Sequence, residues 1–325
     1  MLEIVLWIAV FVISLTVLLK ASDLFTDSAE EIGLFFKLPA FIIGVTIVAF
    51  GTSLPEFVSS VFAVLGGSSE IVVGTVTGSN IANIFLILGI VAIVGKKMRL
   101  NFEILNVDLP ILAASAFLMA VMAYDGKFTT AEAILSLIGL FIYLFRTIAV
   151  DEKIPKREQK NVEADIKRTL ELGRLSNFPF KSFLMLLLGI GFIIMSAKYT
   201  IASAIELSKL FNIGKEIVGA SIIAFGTSLP ELAVSFAAVR RGKIEIAVGN
   251  VLGSNIFNTL GVMGVAGLFG TLVIPASILI FSLPVMLIAT MLYFFVTQDK
   301  EITNWEGGFL LLFYVLYIGK LFNFI

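Results

Sequence analysis

Ala49-Phe50-Gly51-Thr52-Ser53-Leu54-Pro55-Glu56 recurs unchanged as Ala224-Phe225-Gly226-Thr227-Ser228-Leu229-Pro230-Glu231. A second block, Gly78-Ser79-Asn80-Ile81, recurs as Gly253-Ser254-Asn255-Ile256 at the same offset of 175 residues. From Gly44 to Asn83 the first copy aligns with Gly219 to Asn258 without a gap, and 24 of 40 positions are identical. Shared apolarity does not preserve the polar positions in this way, so the chain carries an internal repeat.

Working outward, the 325 residues are 58% hydrophobic and only 14% charged, with a mean hydropathy of +1.04. Ordinary soluble domains are roughly 25% charged, so a water-soluble globular protein is excluded. The apolar residues fall in stretches of about 20, the length a helix needs to cross the hydrocarbon core. Ten such helices are expected, over 3–33, 38–65, 71–95, 104–124 and 129–149, then 181–209, 215–240, 244–270, 274–297 and 304–324. Between the two sets, Asp151 to Arg174 holds seven basic and six acidic residues. The expected division is a first five-helix repeat (1–150), a charged cytoplasmic linker (151–180) and a second five-helix repeat (181–325). Spaced apolar residues in the linker, Val162, Ile166 and Leu170, fit an interfacial helix.

Five crossings before the second copy mean that it enters the membrane from the opposite side. The expected fold is therefore an all-α polytopic membrane protein of ten transmembrane helices in two inverted-topology repeats, a plan common among secondary transporters, whose sites lie between the repeats. With the linker inside, both termini are extracellular and 17 of the 23 basic residues fall on the cytoplasmic side, as the positive-inside rule requires. The apolar start carries Glu3, lacks a basic leading region and reads as the first spanning helix rather than a signal peptide. Compact loops and the lack of a targeting segment suit a prokaryotic plasma membrane.

The chain has no Cys and no His, so thiolate and imidazole chemistry are excluded and ligands must be oxygen or amide groups. Pro55 and Pro230 each remove an N–H and clash with the carbonyl four residues earlier. Helped by Gly51 and Gly226, they should free carbonyls around Ala49 to Thr52 and Ala224 to Thr227. At membrane depth such backbone is tolerated only where it is buried in protein or lines a polar cavity. Glu56 lies four residues after Thr52 and three after Ser53, which puts all three on one side of a helix. Glu231, Thr227 and Ser228 repeat the pattern. A charged carboxylate at the bilayer centre costs on the order of 2.5 to 3.5 kcal/mol, and no basic residue lies between Gly44 and Asn83 to offset it. Ser79 with Asn83, and Ser254 with Asn258, are spaced to present a hydroxyl and an amide oxygen toward the same centre. The outcome is an oxygen-only cage with two formal negative charges, suited to sodium or calcium.

Plainer readings stand beside this one. A single Gly-Thr-Ser-Leu-Pro-Glu string is equally a helix kink whose hydroxyls satisfy the backbone, a reading weakened by its two copies. Ser79 and Ser254 also serve as small packing residues beside Gly74, Gly78, Gly249 and Gly253 in GxxxG spacing, and Asn83 and Asn258 as interhelical hydrogen-bonding groups. Glu70 and Glu245 sit at helix ends and are expected to face water. Asp23 and Lys198 hold equivalent positions in the first and sixth helices, suited either to an access path or to local neutralisation.

At these blocks the chain resembles the cation/calcium exchanger superfamily, specifically the prokaryotic sodium/calcium exchangers. The resemblance covers nearly the whole chain through both repeats, their spacing, the helix count and the charged central loop. It implies calcium ligation by Glu56 and Glu231. It also implies sodium ligation by Ala49, Thr52, Ser53, Ser79, Ala224, Thr227, Ser228 and Ser254, with Asn83 and Asn258 at the remaining central positions. Some relatives, including potassium-dependent ones, carry an acid where this chain has Asn258, so a third central carboxylate is missing and potassium coupling is disfavoured. Thr75 also departs from its repeat mate Asn250.

The activity implied is alternating-access sodium/calcium antiport, with no enzyme chemistry, no cofactor, no nucleic acid and no obligatory protein partner. Calcium and sodium compete for the cage, and the first and sixth helices slide across the other eight. The alternative is a proton/calcium antiporter that uses the same glutamates as proton acceptors. A cation channel and a lipid-phosphate hydrolase are further options, the last opposed by the absence of Lys and Arg beside the motifs.

Overall fold

In hydrocarbon every backbone N–H and C=O has to be satisfied within the protein, and uninterrupted runs of Leu, Ile, Val and Phe meet that demand as helices. The computed structural model describes residues 2–35, 49–95, 97–99, 102–150, 179–240, 244–298 and 301–325. The charged 151–174 segment, and the 38–48 part of the expected second helix, lie outside the described residues.

The first half runs α1 (Leu2–Phe35), α2 (Ala49–Thr52), α3 (Leu54–Leu65), α4 (Glu70–Ile81), a π-helical turn (Ala82–Leu88), α5 (Gly89–Gly95), β1 (Lys97–Arg99), α6 (Phe102–Met122), β2 (Lys127–Phe128) and α7 (Thr130–Val150). The second half opens with α8 (Phe180–Phe211), α9 (Lys215–Val218), a π-helical turn (Gly219–Ile223), α10 (Ala224–Thr227), α11 (Leu229–Arg240) and α12 (Ile244–Ile256). It continues through a π-helical turn (Phe257–Val262), α13 (Met263–Leu268), β3 (Leu272–Val273), a π-helical turn (Ile278–Ser282), α14 (Leu283–Gln298), β4 (Glu301–Thr303) and α15 (Asn304–Leu321). Around the repeated blocks, the bounds of α10 and α11 are those of α2 and α3 moved by 175 residues.

Among the described residues, six stretches are long and apolar enough to cross a membrane: Glu3–Phe25, Glu70–Gly95, Phe180–Phe211, Lys215–Arg240, Ala247–Leu268 and Ile278–Gln298. They divide by burial. Every residue of α4 from Ile71 to Ile81 is buried, and Ala247–Leu268 is buried almost throughout. The two helices that carry the Gly-Ser-Asn blocks therefore form the centre. By contrast α1 and α8 pack along each other and leave most of their surface exposed. Their contact is a small cluster of Leu18, Ala21, Ile193 and Ala197, with a hydrogen bond from Thr200 to Ser14 at 3.0 Å.

Small residues set how closely the centre packs. A Cβ on Gly74 would lie 2.3 Å from the Glu216 carbonyl oxygen, and one on Gly78 would lie 2.3 Å from that of Ala220. The GxxxG spacing of α4 thus lets the 216–220 backbone lie directly against it. Gly249 and Gly253 meet no described atom within 4 Å; the segment equivalent to 216–220, residues 41–45, lies outside the described residues.

Two short antiparallel ribbons join loops of opposite halves. In one, Lys97, Met98 and Arg99 pair with Thr303, Ile302 and Glu301. In the other, Lys127 and Phe128 pair with Val273 and Leu272. Each ribbon is followed by a reciprocal helix cap: Thr303 with Glu306 at the start of α15, and Thr129 with Glu132 at the start of α7.

Candidate cation site

The repeated octapeptide forms a short helix, a one-residue interruption and a second helix. Ser53 caps α3 with φ −85° and ψ 0°, and Pro55 occupies the first turn, where its missing N–H costs nothing. Ser228 takes the same conformation, φ −84° and ψ 3°. The interruption leaves the ladder nearly continuous, since Phe57 N donates to Ser53 O at 3.1 Å and Leu232 N to Ser228 O at 3.1 Å. The Ala224 carbonyl, expected to be freed, accepts the Ser228 N–H at 3.1 Å and, more weakly, the Thr227 hydroxyl at 3.5 Å. Ala49 opens α2.

Ser53-Leu54-Pro55-Glu56 has the spacing of a capping box, in which serine and glutamate satisfy the first turn of a helix. Thr303 and Glu306 make both bonds of such a box. Ser53 makes no side-chain cap bond, and its Oγ is buried without a partner, as is Oε2 of Glu56. Ser228 Oγ and Glu231 Oε2 are in the same state. The groups that elsewhere close a helix end are here kept free, and both acids sit in first turns, where the helix dipole favours negative charge.

Glu56 and Glu231 are each only 1% exposed and feel one another's charge. Thr227 lies near the Glu56 carboxyl and Thr52 near that of Glu231, so each acid faces the helix break of the other half, while the Thr227 hydroxyl itself donates to the Ile223 carbonyl at 3.0 Å. Ser254 donates to Glu231 Oε1 at 3.4 Å. Ser79 Oγ, Asn83 Oδ1 and Asn258 Oδ1 are buried and unpartnered. Native interiors leave few buried polar atoms unsatisfied. Nine such side-chain atoms occur among the described residues, and seven belong to Ser53, Glu56, Ser79, Asn83, Ser228, Glu231 and Asn258. All seven are oxygens, a donor set that fits a sodium or calcium ion. Among the described residues no group of three acidic side chains is placed to hold a metal ion, and those residues bring two carboxylates to the centre.

Some site features were not anticipated in the sequence. Asn80 and Asn255, inside the repeated blocks, make hydrogen bonds across the two halves. Asn83 and Asn258 lie in the π-helical turns that follow α4 and α12, and wide turns of this kind recur at functional sites. Glu70, expected to face water, is half-buried and pairs with Lys215 at 3.2 Å. Asp23 and Lys198 are both exposed.

Apolar spans around a polar centre make this an integral membrane protein. Its sequence matches the model of the sodium/calcium exchanger protein family over residues 6–149 and 181–322. The chain belongs to that family, one of membrane transporters. It is 35% identical to the sodium/calcium exchanger MaX1 of Methanosarcina acetivorans, across 96% of this chain and 97% of that one. The inner membrane protein YrbG of Escherichia coli is 33% identical across 80% of this chain and 79% of its own length. A solved structure of the sodium-calcium exchanger NCX_Mj, soaked with Na+ and Sr2+, superposes with a TM-score of 0.66 at 28% identity, covering 97% of this chain and 99% of that chain.

Proposed function

We propose that the protein exchanges sodium for calcium across a membrane by alternating access, with both ions competing for the oxygen cage between Glu56 and Glu231. The observation that carries this reading is the set of seven unpartnered buried oxygens, two from the acids Glu56 and Glu231 and five from serines and asparagines. The names of MaX1 and NCX_Mj support the choice of ions. In this reading the glutamates hold calcium. Thr52, Ser53, Ser79, Thr227, Ser228 and Ser254, with the Ala49 and Ala224 carbonyls, supply sodium ligands, and Asn83 and Asn258 complete the centre with neutral oxygens.

One calcium neutralises two carboxylates, as do two sodium ions; a third sodium leaves one positive charge, so exchange moves net charge. We further propose ten crossings in two inverted five-helix repeats, 1–150 and 181–325, joined by a cytoplasmic linker, with both termini extracellular in a prokaryotic plasma membrane. The 175-residue recurrence of the broken helices supports that arrangement. The reading needs no cofactor and no protein partner. Proton coupling through the same acids is the less favoured alternative, given the family.

The test is calcium-45 uptake into sodium-loaded liposomes diluted into sodium-free buffer, with proton-gradient and no-gradient controls. Uptake that requires internal sodium, and is lost in Glu56→Gln and Glu231→Gln, is expected. Uptake driven only by protons would replace the coupling ion, and gradient-independent conductance would overturn antiport.

A further inference from the structure

The four asparagines at the centre form a chain of hydrogen bonds, Asn83–Asn255–Asn80–Asn258, that crosses from one half to the other. Asn83 Nδ2 donates to Asn255 Oδ1 at 2.9 Å, and Asn258 Nδ2 donates to Asn80 Oδ1 at 3.1 Å. Asn80 Nδ2 donates to the Asn255 carbonyl at 3.4 Å, and Asn255 Nδ2 to the Asn80 carbonyl at 3.3 Å. Every side-chain amide nitrogen of the four is used across the halves, and all four residues are buried. The two oxygens left over are Oδ1 of Asn83 and Oδ1 of Asn258.

An amide that rotates by half a turn exchanges its oxygen for its nitrogen at almost no steric cost, so nothing local to Asn83 or Asn258 selects one orientation. The chain of cross-half hydrogen bonds does select it. Turning Asn258 over would set its oxygen against Asn80 Oδ1 and aim an NH2 group at the carboxylates, which would repel a cation. Asn80 cannot turn to compensate, because its nitrogen is held by the Asn255 carbonyl and lies 3.6 Å from Met286 Sδ. The same reasoning applies to Asn83 and Asn255.

We propose that Asn80 and Asn255 are positioning residues, each fixing the amide of the opposite half's central asparagine so that both oxygens point into the cage. The proposal rests on the reading of the cage as a calcium site. It assigns a cross-half pattern: Asn80 acts through Asn258, and Asn255 acts through Asn83. It also makes an amide at 258 a requirement of this chain of bonds, since an acid there has no proton to give Asn80 Oδ1.

The test is a set of double-mutant cycles read by calcium-45 binding to the purified full-length protein, with melting temperature as a folding control. Asn80→Ala, Asn83→Ala, Asn255→Ala and Asn258→Ala should each weaken calcium binding about tenfold. The pairs N80A/N258A and N255A/N83A should be no weaker than their weaker single variants, because removing the positioning residue already forfeits its target. The same-helix pairs N80A/N83A and N255A/N258A should multiply, to about a hundredfold. A general structural role would couple all pairs alike. Full multiplication in the cross-half pairs would overturn the proposal, as would unaltered binding in N83A and N258A. If N80A does not fold, Asn80→Asp retains an acceptor oxygen, and N258A in that background should still cost its full tenfold; a silent N258A there would overturn it. A wild-type protein that binds no calcium would sink the calcium reading and the positioning role with it, and would be recognised before any variant is made.

Discussion

Asn250 Nδ2 donates to the backbone carbonyl of Glu231 at 3.2 Å and to Ser235 Oγ at 3.0 Å. It thereby braces the first turn of α11 against α12. The equivalent of Asn250 is Thr75, which lacks an amide, so this brace belongs to one acid of the two. Asn250→Thr removes two buried hydrogen bonds and should cost on the order of 1 to 3 kcal/mol. A lower melting temperature in detergent, with calcium affinity reduced severalfold, is the expected result; unchanged melting would show that the brace carries no weight.

Replacing Asn258 with aspartate should have two opposed effects. The new carboxylate loses the donor that meets Asn80 Oδ1 and sets two oxygens face to face, which destabilises the cation-free protein. It also adds a third negative charge for a bound cation to neutralise. Melting in chelator should therefore fall, while the rise on adding calcium should exceed that of the wild type. Asn83→Asp should show the same folding cost because its nitrogen is engaged by Asn255. Equal melting of variant and wild type in chelator would contradict this.

Glu56→Gln and Glu231→Gln each remove a buried acid that no basic side chain among the described residues pairs with. An ion taken from water into the interior carries a penalty of several kcal/mol after relaxation, and glutamine avoids it at equal size. In cation-free buffer both variants should melt at or above the wild-type temperature, and calcium should no longer raise it. A large drop in melting without cations would show that the acids are structural rather than reserved for a ligand.

Gly78→Ala should prevent normal packing, because the added carbon would stand 2.3 Å from the Ala220 carbonyl oxygen and 2.7 Å from its Cα. Backbone on both sides offers no rotamer by which to yield, so the cost should reach or exceed the 1 to 3 kcal/mol typical of overpacking. Gly191→Ala, on α8 with nothing within 4 Å, is the matched control and should be neutral or mildly stabilising. Comparison of monodisperse yield and melting temperature separates the two; equal behaviour would refute the close approach of α4 to the 216–220 backbone.

What the sequence disclosed was whatever repeats or stays local. The run from Glu70 to Gly95 and the start of α9 at Lys215 follow from hydrophobic length, whereas helical spacing alone groups Thr52 with Glu56 and does not reveal that Thr52 lies toward Glu231 of the other half. Orientation was not legible. A capping-box spacing at Ser53 and Glu56 does not reveal that both side chains decline the cap, because that depends on the opposing half. Nor does the Gly-Ser-Asn block disclose that Asn80 spends its amide 175 residues away, or that α4 widens into a π-helical turn at Ala82. Those features arise from packing between halves, which a one-dimensional period does not encode.

The ribbon of Lys97–Arg99 with Glu301–Thr303 has a consequence for how the molecule is made. The first strand leaves the ribosome about two hundred residues before its mate, and the mate belongs to the last loop ahead of α15. Assembly of the first half thus waits on translation of residues 301–303, and a fragment ending in the central segment would carry an open strand edge without that mate. The two halves mirror one another in sequence, yet neither is a finished piece.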